Sequence, residues 1–479
     1  MVQTFEDFAT ATRSQNGYLL ASCISPTPPT DDPARLYTFY RFTNRMSVET
    51  DVRYAIQYPS DTKHELGRQE QMVWSNVFVE YWRAVGEILA AEEAANAGRG
   101  REEEGRKKKG EDGWDRVYDA WKEVVKVLNK GYQAGLLPAW TIPCLYIAAK
   151  YLRIFAIKAD DGAKRTKGRG GLSFNAAAGL QDDVVGSVDG QERLEEAARM
   201  INTMFSLCIN DRAPIEESRK WGVYYMTNLL FKTFFKLNQL NLCKSSLRAL
   251  QASNTDMPPL EAFPKSHQVA FKYYVGVVHF LEEDYNTAET YLTSALSLCR
   301  TSLTSNIILI LTYLIPTRLL TSHVLPTATL LAPYPQLQQI FQPLCSAIKR
   351  GSLADFDRAL AAGEDAFVKR RIYLTLERGR DICLRNLFRR VFLAGGHEEP
   401  REGQTEQPDG VRRTRVPVKE FAAAVRVSEE KGVEEVTDLD EVEGLVAGQI
   451  YKNLMKGYIA RDRGIVVLSK GGAFPGTGV

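Results

Sequence analysis

The chain has 479 residues, 44% of them hydrophobic and 25% charged, which gives room for several domains of ordinary globular composition. With 61 basic and 59 acidic residues the net charge is +2, so a whole-molecule electrostatic reading is excluded and charge arguments must be local. The seven cysteines stand singly without a CxxC pair, a pattern of buried thiols rather than of disulfides or zinc.

The opening MVQTFEDFATATR places acids where a secretory signal needs a basic region and an apolar run, so no secretory address is expected. From Phe5 to about Tyr58 the pattern predicts short helices around the loop SPTPPTDDP, with Leu36, Tyr37, Phe39, Tyr40 and Phe42 in a core. An amphipathic helix is expected from Trp74 to about Ala95. Residues 92–113 are polar, glycine-rich and dense in charge, and read as disordered because they bury too little apolar surface. Helices over 114–134 and 141–157 complete an N-terminal helical region, 1–157. Residues 158–190, with KRTKGRGG, read as a flexible insertion. Both RKKKG (from Arg106) and KRTKGR (from Lys164) suit a nuclear-import signal, loose nucleic-acid contact or plain solvated charge.

Residues 191–345 read as helical repeats. After a helix over 191–209, FKLNQLNLC (Phe235 to Cys243) aligns with FLEEDYNTA (Phe280 to Ala288) at an offset of 45 residues. Gly276, Ala288, Leu292 and Ala295 have the small-and-large spacing of a tetratricopeptide-type hairpin, in which small residues let two helices pack closely. The apolar run Ile307–Ile315 stops at Pro316 and is far shorter than a bilayer span.

Residues 346–470 carry the densest pattern. Wound as one helix at about 100° per residue, FVKRRIYLTLERGRDICLRNLFRRVFLA places Arg371, Arg378, Arg385 and Arg389 within about 40° of each other. Tyr373, Leu376, Leu384, Leu387 and Val391 take the opposite side. Such an arginine stripe suits nucleic acid, a partner protein or a solvated face. Residues 395–413 read as a loop. PVKEFAAAVRV is then a helix with Pro417 in its first turn, and Asp438 can cap another that closes at Gly457. YIARDRGIVVLS reads as a hairpin, so the order is that of a winged helix. The candidate recognition helix opens with Asp438, Asp440, Glu441 and Glu443, which would repel phosphates in a major groove. Lys452, Lys456, Arg461, Arg463 and Lys470 follow, so nucleic-acid contact is expected through wing and basic helix, to the backbone and without sequence preference. Residues 471–479 read as a tail.

The five histidines form neither HxH nor HExxH, and neither GxxxxGK[ST] nor GxSxG occurs. No catalytic residue, cofactor site or metal site is expected, and an interaction scaffold fits better than an enzyme. His279 reads as a packing residue and Cys383 as a buried inert thiol.

The helix ending YLIP, then LP…LL, AIKRGSLADFDRAL, a basic helix with RNLF (Arg385 to Phe388) and the ending KGYIARDRGIVVLSK together resemble the PCI domain. Within that family, Trp221–Leu250 and Phe263–Leu292 resemble one branch. It holds the PCI subunit of the TREX-type mRNA-export complex and the twelfth-subunit-like protein of the signalosome. The resemblance covers about residues 215 to 470, with nothing comparable in the first 200. It implies a mainly α fold: a tetratricopeptide-like helical-repeat superhelix followed by a C-terminal winged helix. It also implies a non-catalytic scaffold subunit of a nuclear complex coupling transcription to mRNA processing and export, without excluding the cytoplasm. The implied partners are another PCI-type scaffold subunit, a small acidic Sem/Dss-type protein, and RNA or DNA; no membrane role is implied. The alternative implied is a signalosome-associated subunit in protein-degradation control, without a nucleic-acid role. Arg385, lying in RNLF, has a structural role as a further reading.

Overall fold

The computed structural model describes residues 3–58, 66–102, 113–166, 190–253, 256–397, 412–429 and 438–477. Compactness divides the chain into two units, Met1–Tyr274 and Val275–Val479, with the division inside helix Lys265–Leu281.

The first unit is all helical among its described residues. Its opening core is aromatic: Phe5, Phe8, Phe39, Trp74 and Phe78 are buried, and Phe8 meets Phe78 edge-on at 5.3 Å. Of the aromatic cluster read from sequence, Leu36 and Phe39 are buried, whereas Tyr37 and Tyr40 lie on the outer side, Tyr40 stacked on Trp82. Helices Arg68–Glu102, Trp114–Gln133, Ile142–Thr166 and Glu192–Ile209 then pack in sequence. The Trp121 indole donates to the Ala148 carbonyl at 3.0 Å inside this stack, as a buried indole must. Two expected irregular segments begin as helix. Residues 92–102 continue Arg68–Glu102 and 158–166 continue Ile142–Thr166, because each preceding amphipathic helix propagates past its last packed turn. The remainder of both segments, with RKKKG and the second half of KRTKGR, lies outside the described residues.

The two hairpins read from sequence share one turn. Helices Val223–Lys236 and Leu240–Ala252 are joined through Asn238 at φ +59°, and Lys265–Leu281 and Tyr285–Leu298 through Glu283 at φ +64°. In each, the residue after the left-handed position donates its N–H five residues back: Gln239 to Phe234 at 2.9 Å, Asp284 to His279 at 3.0 Å. Cys243 and Leu250 are buried at the positions equivalent to buried Ala288 and Ala295. The small residue at Gly276 is required: a Cβ there would stand 2.8 Å from Leu292 Cγ, and Leu292 is fully buried.

In the second unit, helix Thr304–Thr321 runs through Pro316 rather than stopping there. The Thr317 hydroxyl donates to the Tyr313 carbonyl one turn back, and ten residues of the helix are buried. This helix and Ala139–Ala163 are long and apolar enough to cross a membrane by length and composition, and both are mostly buried within the protein. Helix Pro335–Arg350 ends at Gly351, φ +67°, where a Cβ would fall 2.7 Å from the Leu387 backbone nitrogen. Glycine thus lets this turn close onto helix Arg380–Ala394. Ser428 locks it: its hydroxyl donates to the Gly351 carbonyl and accepts from the Leu353 N–H, both at 2.8 Å.

The end of the chain is a winged helix. Helices Arg380–Ala394, Val418–Ser428 and Leu439–Tyr451 are followed by strands β2 (Gly457–Ala460) and β3 (Ile465–Leu468). A strand absent from the sequence reading, β1 (Arg415–Pro417), adds to β3, giving an antiparallel sheet in the order β1-β3-β2. Asp438 caps its helix as expected, accepting from the Asp440 N–H at 3.0 Å, but the helix ends at Tyr451 and Gly457 opens β2 instead of closing it. In the expected loop 395–413, His397 pairs with Arg412 as an isolated bridge, and residues 398–411 lie outside the described residues. Residues 473–474 are not a loose tail. Ala473 accepts from the Lys456 N–H, and Phe474 is buried against Phe392 because an apolar ring at this point gains more from the core than from water.

Candidate nucleic-acid interface

The arginine stripe does not exist as one helix. The segment is broken into Glu364–Lys369, Tyr373–Glu377 and Arg380–Ala394. Arg371 is the left-handed residue of the first break, φ +57°, half-buried, with Ile372 N–H donating back to the Phe367 carbonyl. The second break falls at Arg378 and Gly379, where Gly379 packs against Leu319.

Nor are these arginines equally available. Arg378 makes an ion pair with Glu283, its Nη2 donating to both carboxylate oxygens at 2.8 Å, and these hydrogen bonds raise its pKa. Arg385 is only 5% exposed, because helix Arg380–Ala394 is packed on several sides and buries Ile382, Cys383, Leu384, Leu387 and Phe388 as well. Its guanidinium reaches the Asn386 side-chain oxygen at 3.3 Å, but Nη1 meets no acceptor among the described residues. Burial, and then the charge of Arg389, hold its pKa below the ordinary arginine value. Arg389, one turn on, is half-buried, and its Nε likewise meets no acceptor among the described residues. Burial and the Arg385 charge also lower the pKa of His323.

The wing distributes its cations differently. Lys452 is paired with Asp381 at 2.6 Å. Arg461 is paired with Asp440 at 2.8 Å and approaches Glu443 at 3.6 Å, so two of the four acids that argued against groove reading are already engaged. Lys456, Arg463 and Lys470 are exposed and have no ion pair among the described residues. The residue that sequence reading missed is Arg415. It is exposed on β1, pairs in register with Val467, and has no ion pair among the described residues. Its only signal was position: an arginine two residues before Pro417, at the edge of a segment read as loop.

The other candidates for chemistry are accounted for. Burial pushes the Cys383 thiol up to about 12, so it stays protonated and unreactive at neutral pH. All seven cysteines are free, and all but Cys299 are buried. His279 stacks on Tyr291 and lies 3.3 Å from Asp284, half-way between core and surface. Among the described residues no group of three or more His, Cys, Asp or Glu is placed to hold a metal ion.

Helical hairpins of one pattern, followed in the chain by a winged helix, define a helical-repeat protein with a C-terminal winged helix. No family model matches the chain. Its relatives are nevertheless clear: it is 50% identical to Protein CSN12 homolog of Gibberella zeae over the whole of both chains. It is 50% identical to Protein CSN12 homolog of Neurospora crassa over 98% of each. PCI domain-containing protein 2 of Xenopus laevis is 33% identical over 74% of this chain and 77% of its own. The chain belongs to the PCI-domain family. The full-length likeness extends through the first 200 residues, where sequence reading found no resemblance.

Proposed function

We propose that this chain is a non-catalytic PCI scaffold subunit of a nuclear complex that couples transcription to mRNA processing and export. In that role it contacts nucleic acid through its wing. The observation that carries the reading is the set of exposed cations on the wing, Arg415, Lys456, Arg463 and Lys470, free of carboxylate partners among the described residues. Cations left unpaired on a rigid sheet and its turn are what phosphate contact uses, and such contacts position a nucleic acid without reading its bases. The partners that suit this role are a second PCI-type scaffold subunit and a small acidic protein of the Sem/Dss type. Arg378 and Lys452, already paired, and Arg385, buried, contribute little to the contact. The basic helix therefore supports the wing instead of forming the interface.

The test is purification of the tagged chain from its own cells, with identification of the co-purifying subunits and of bound nucleic acid. Recovery of a second PCI subunit, a small acidic protein and RNA supports the proposal. Recovery of signalosome subunits without nucleic acid overturns it.

A further inference from the structure

The outer face of the wing sheet carries more than charge. Arg415 pairs with Val467 across β1 and β3, and Tyr458 pairs with the same Val467 across β2 and β3. The three residues therefore form one rung, and alternation along a strand sends their side chains to the same face. The opposite face holds Val416, Val466 and Leu468, all buried, so the face with Arg415 and Tyr458 is the outward one. Tyr458 is 62% exposed there. Lys456 lies two residues before Tyr458 on the same side, and the ladder continues to it, since the Ser469 N–H donates to its carbonyl at 2.9 Å. An exposed tyrosine ring thus stands at the corner of a right angle, with Arg415 about two strand spacings (roughly 10 Å) across the sheet and Lys456 just before the ring's own strand.

Resting on the proposed nucleic-acid contact, we infer that the wing sheet is a base-stacking platform for single-stranded nucleic acid. One unpaired base lies on Tyr458, and the flanking phosphates are held by Arg415 and Lys456. The surface favours this occupant over an acidic peptide strand, because the face offers a ring beside the cations. A polyanion with π-faces at regular intervals uses both, whereas a carboxylate uses only the cations. A duplex is disfavoured on the same grounds. Its bases are stacked on each other and present edges, so the ring on a sheet face finds no partner. Contact remains tolerant of sequence, since every base has a face to stack. The segment 456–470 also carries Arg463 at its turn, beside Arg461 with its partners Asp440 and Glu443, and Lys470 at its end.

The experiment is fluorescence anisotropy of the full chain with labelled oligothymidylate, and with a duplex of equal length. The variants are Tyr458→Phe, Tyr458→Ala and the triple reversal Lys456→Glu, Arg463→Glu, Lys470→Glu. The inference expects the single strand to bind more tightly than the duplex. Tyr458→Phe should keep that preference, and Tyr458→Ala should weaken the single strand by about tenfold while leaving the duplex nearly unchanged. An unchanged affinity in Tyr458→Ala, with binding still lost in the triple reversal, overturns stacking and leaves the phosphate contact standing. Failure of the unaltered chain to bind either probe overturns both. Retention of single-strand binding by Tyr458→Ala, with loss of a co-purifying subunit, assigns the face to a protein and overturns the inference. Tyr458 is exposed, so an unshifted thermal midpoint in both single variants is the expected folding control.

Discussion

Replacing Gly276 by valine tests the close packing on which the repeat reading stands. The glycine lies inside helix Lys265–Leu281, and an added Cβ would be 2.8 Å from Leu292 Cγ, 2.9 Å from Cδ2 and 3.3 Å from the Leu292 backbone nitrogen. Leu292 is fully buried and cannot swing away, so three inserted carbons overpack the contact by about 1–3 kcal/mol. Leaving glycine recovers roughly 0.3–0.5 kcal/mol of helix propensity, too little to change the sign. The expected loss is about 2 kcal/mol, seen as a fall of about 4–8 °C in the thermal midpoint of a unit of this size. Leu292→Ala alone should lose about 2–5 kcal/mol through its cavity. In the double variant the valine occupies the space the leucine vacated. The two losses should therefore fall short of their sum by more than about 1 kcal/mol. Thermal and urea unfolding followed by circular dichroism measure all four corners of the cycle. Additive losses would refute the close approach of these helices at Gly276.

Further outcomes follow from the charged groups. Arg385→Met should leave stability unchanged or raise it by about 1–3 kcal/mol in urea unfolding. It removes a buried guanidinium whose Nη1 meets no acceptor among the described residues and which has a like charge one turn away; destabilisation would mean a further role for the cation. Arg378→Ala should change stability by about 1 kcal/mol or less and leave nucleic-acid affinity intact, because its partner Glu283 is a half-exposed surface pair; loss of affinity would restore Arg378 to the interface. Burial raises the Asp211 pKa, but hydrogen bonds from the Arg219 side chain and backbone and from Ser218 outweigh it and hold the carboxyl below its ordinary value. The contribution of Asp211 is then fully present above the unfolded-state pKa of about 3.9 and is lost as pH falls through the lower folded value. Asp211→Asn should accordingly flatten the acid limb of stability measured between neutral and strongly acidic pH, and an unaltered limb would contradict the assignment.

What could be read from sequence was what repeats locally. The hairpins were legible because Gly276, Ala288, Leu292 and Ala295 report burial at helical spacing; the structure adds that Asn238 and Glu283, aligned at the same offset, are the left-handed residues of the two turns. The winged helix was legible because proline, a capping aspartate and an alternating hairpin occur in order. The arginine stripe misled because amphipathic periodicity continues across two short breaks. Arg371 adopts a left-handed turn without the glycine that would have announced it, and Gly379 was the one visible warning. Pairing was illegible for a different reason. Arg378 and Glu283 are 95 residues apart, and Lys452 and Asp381 are 71 apart, distances over which helical spacing carries no information. Strand β1 has only three residues, too few for alternation to register, so Arg415 was missed with it.

The salt dependence of nucleic-acid binding tests the account at its centre. In the full chain, single-strand affinity should fall linearly with salt on logarithmic axes. Replacing Lys456, Arg463 and Lys470 by alanine should reduce that slope by about 0.7 per lost phosphate contact, or roughly 2 in all, equally for unrelated sequences. Binding that keeps its affinity and its salt slope in the triple alanine variant would contradict the wing as the point of contact.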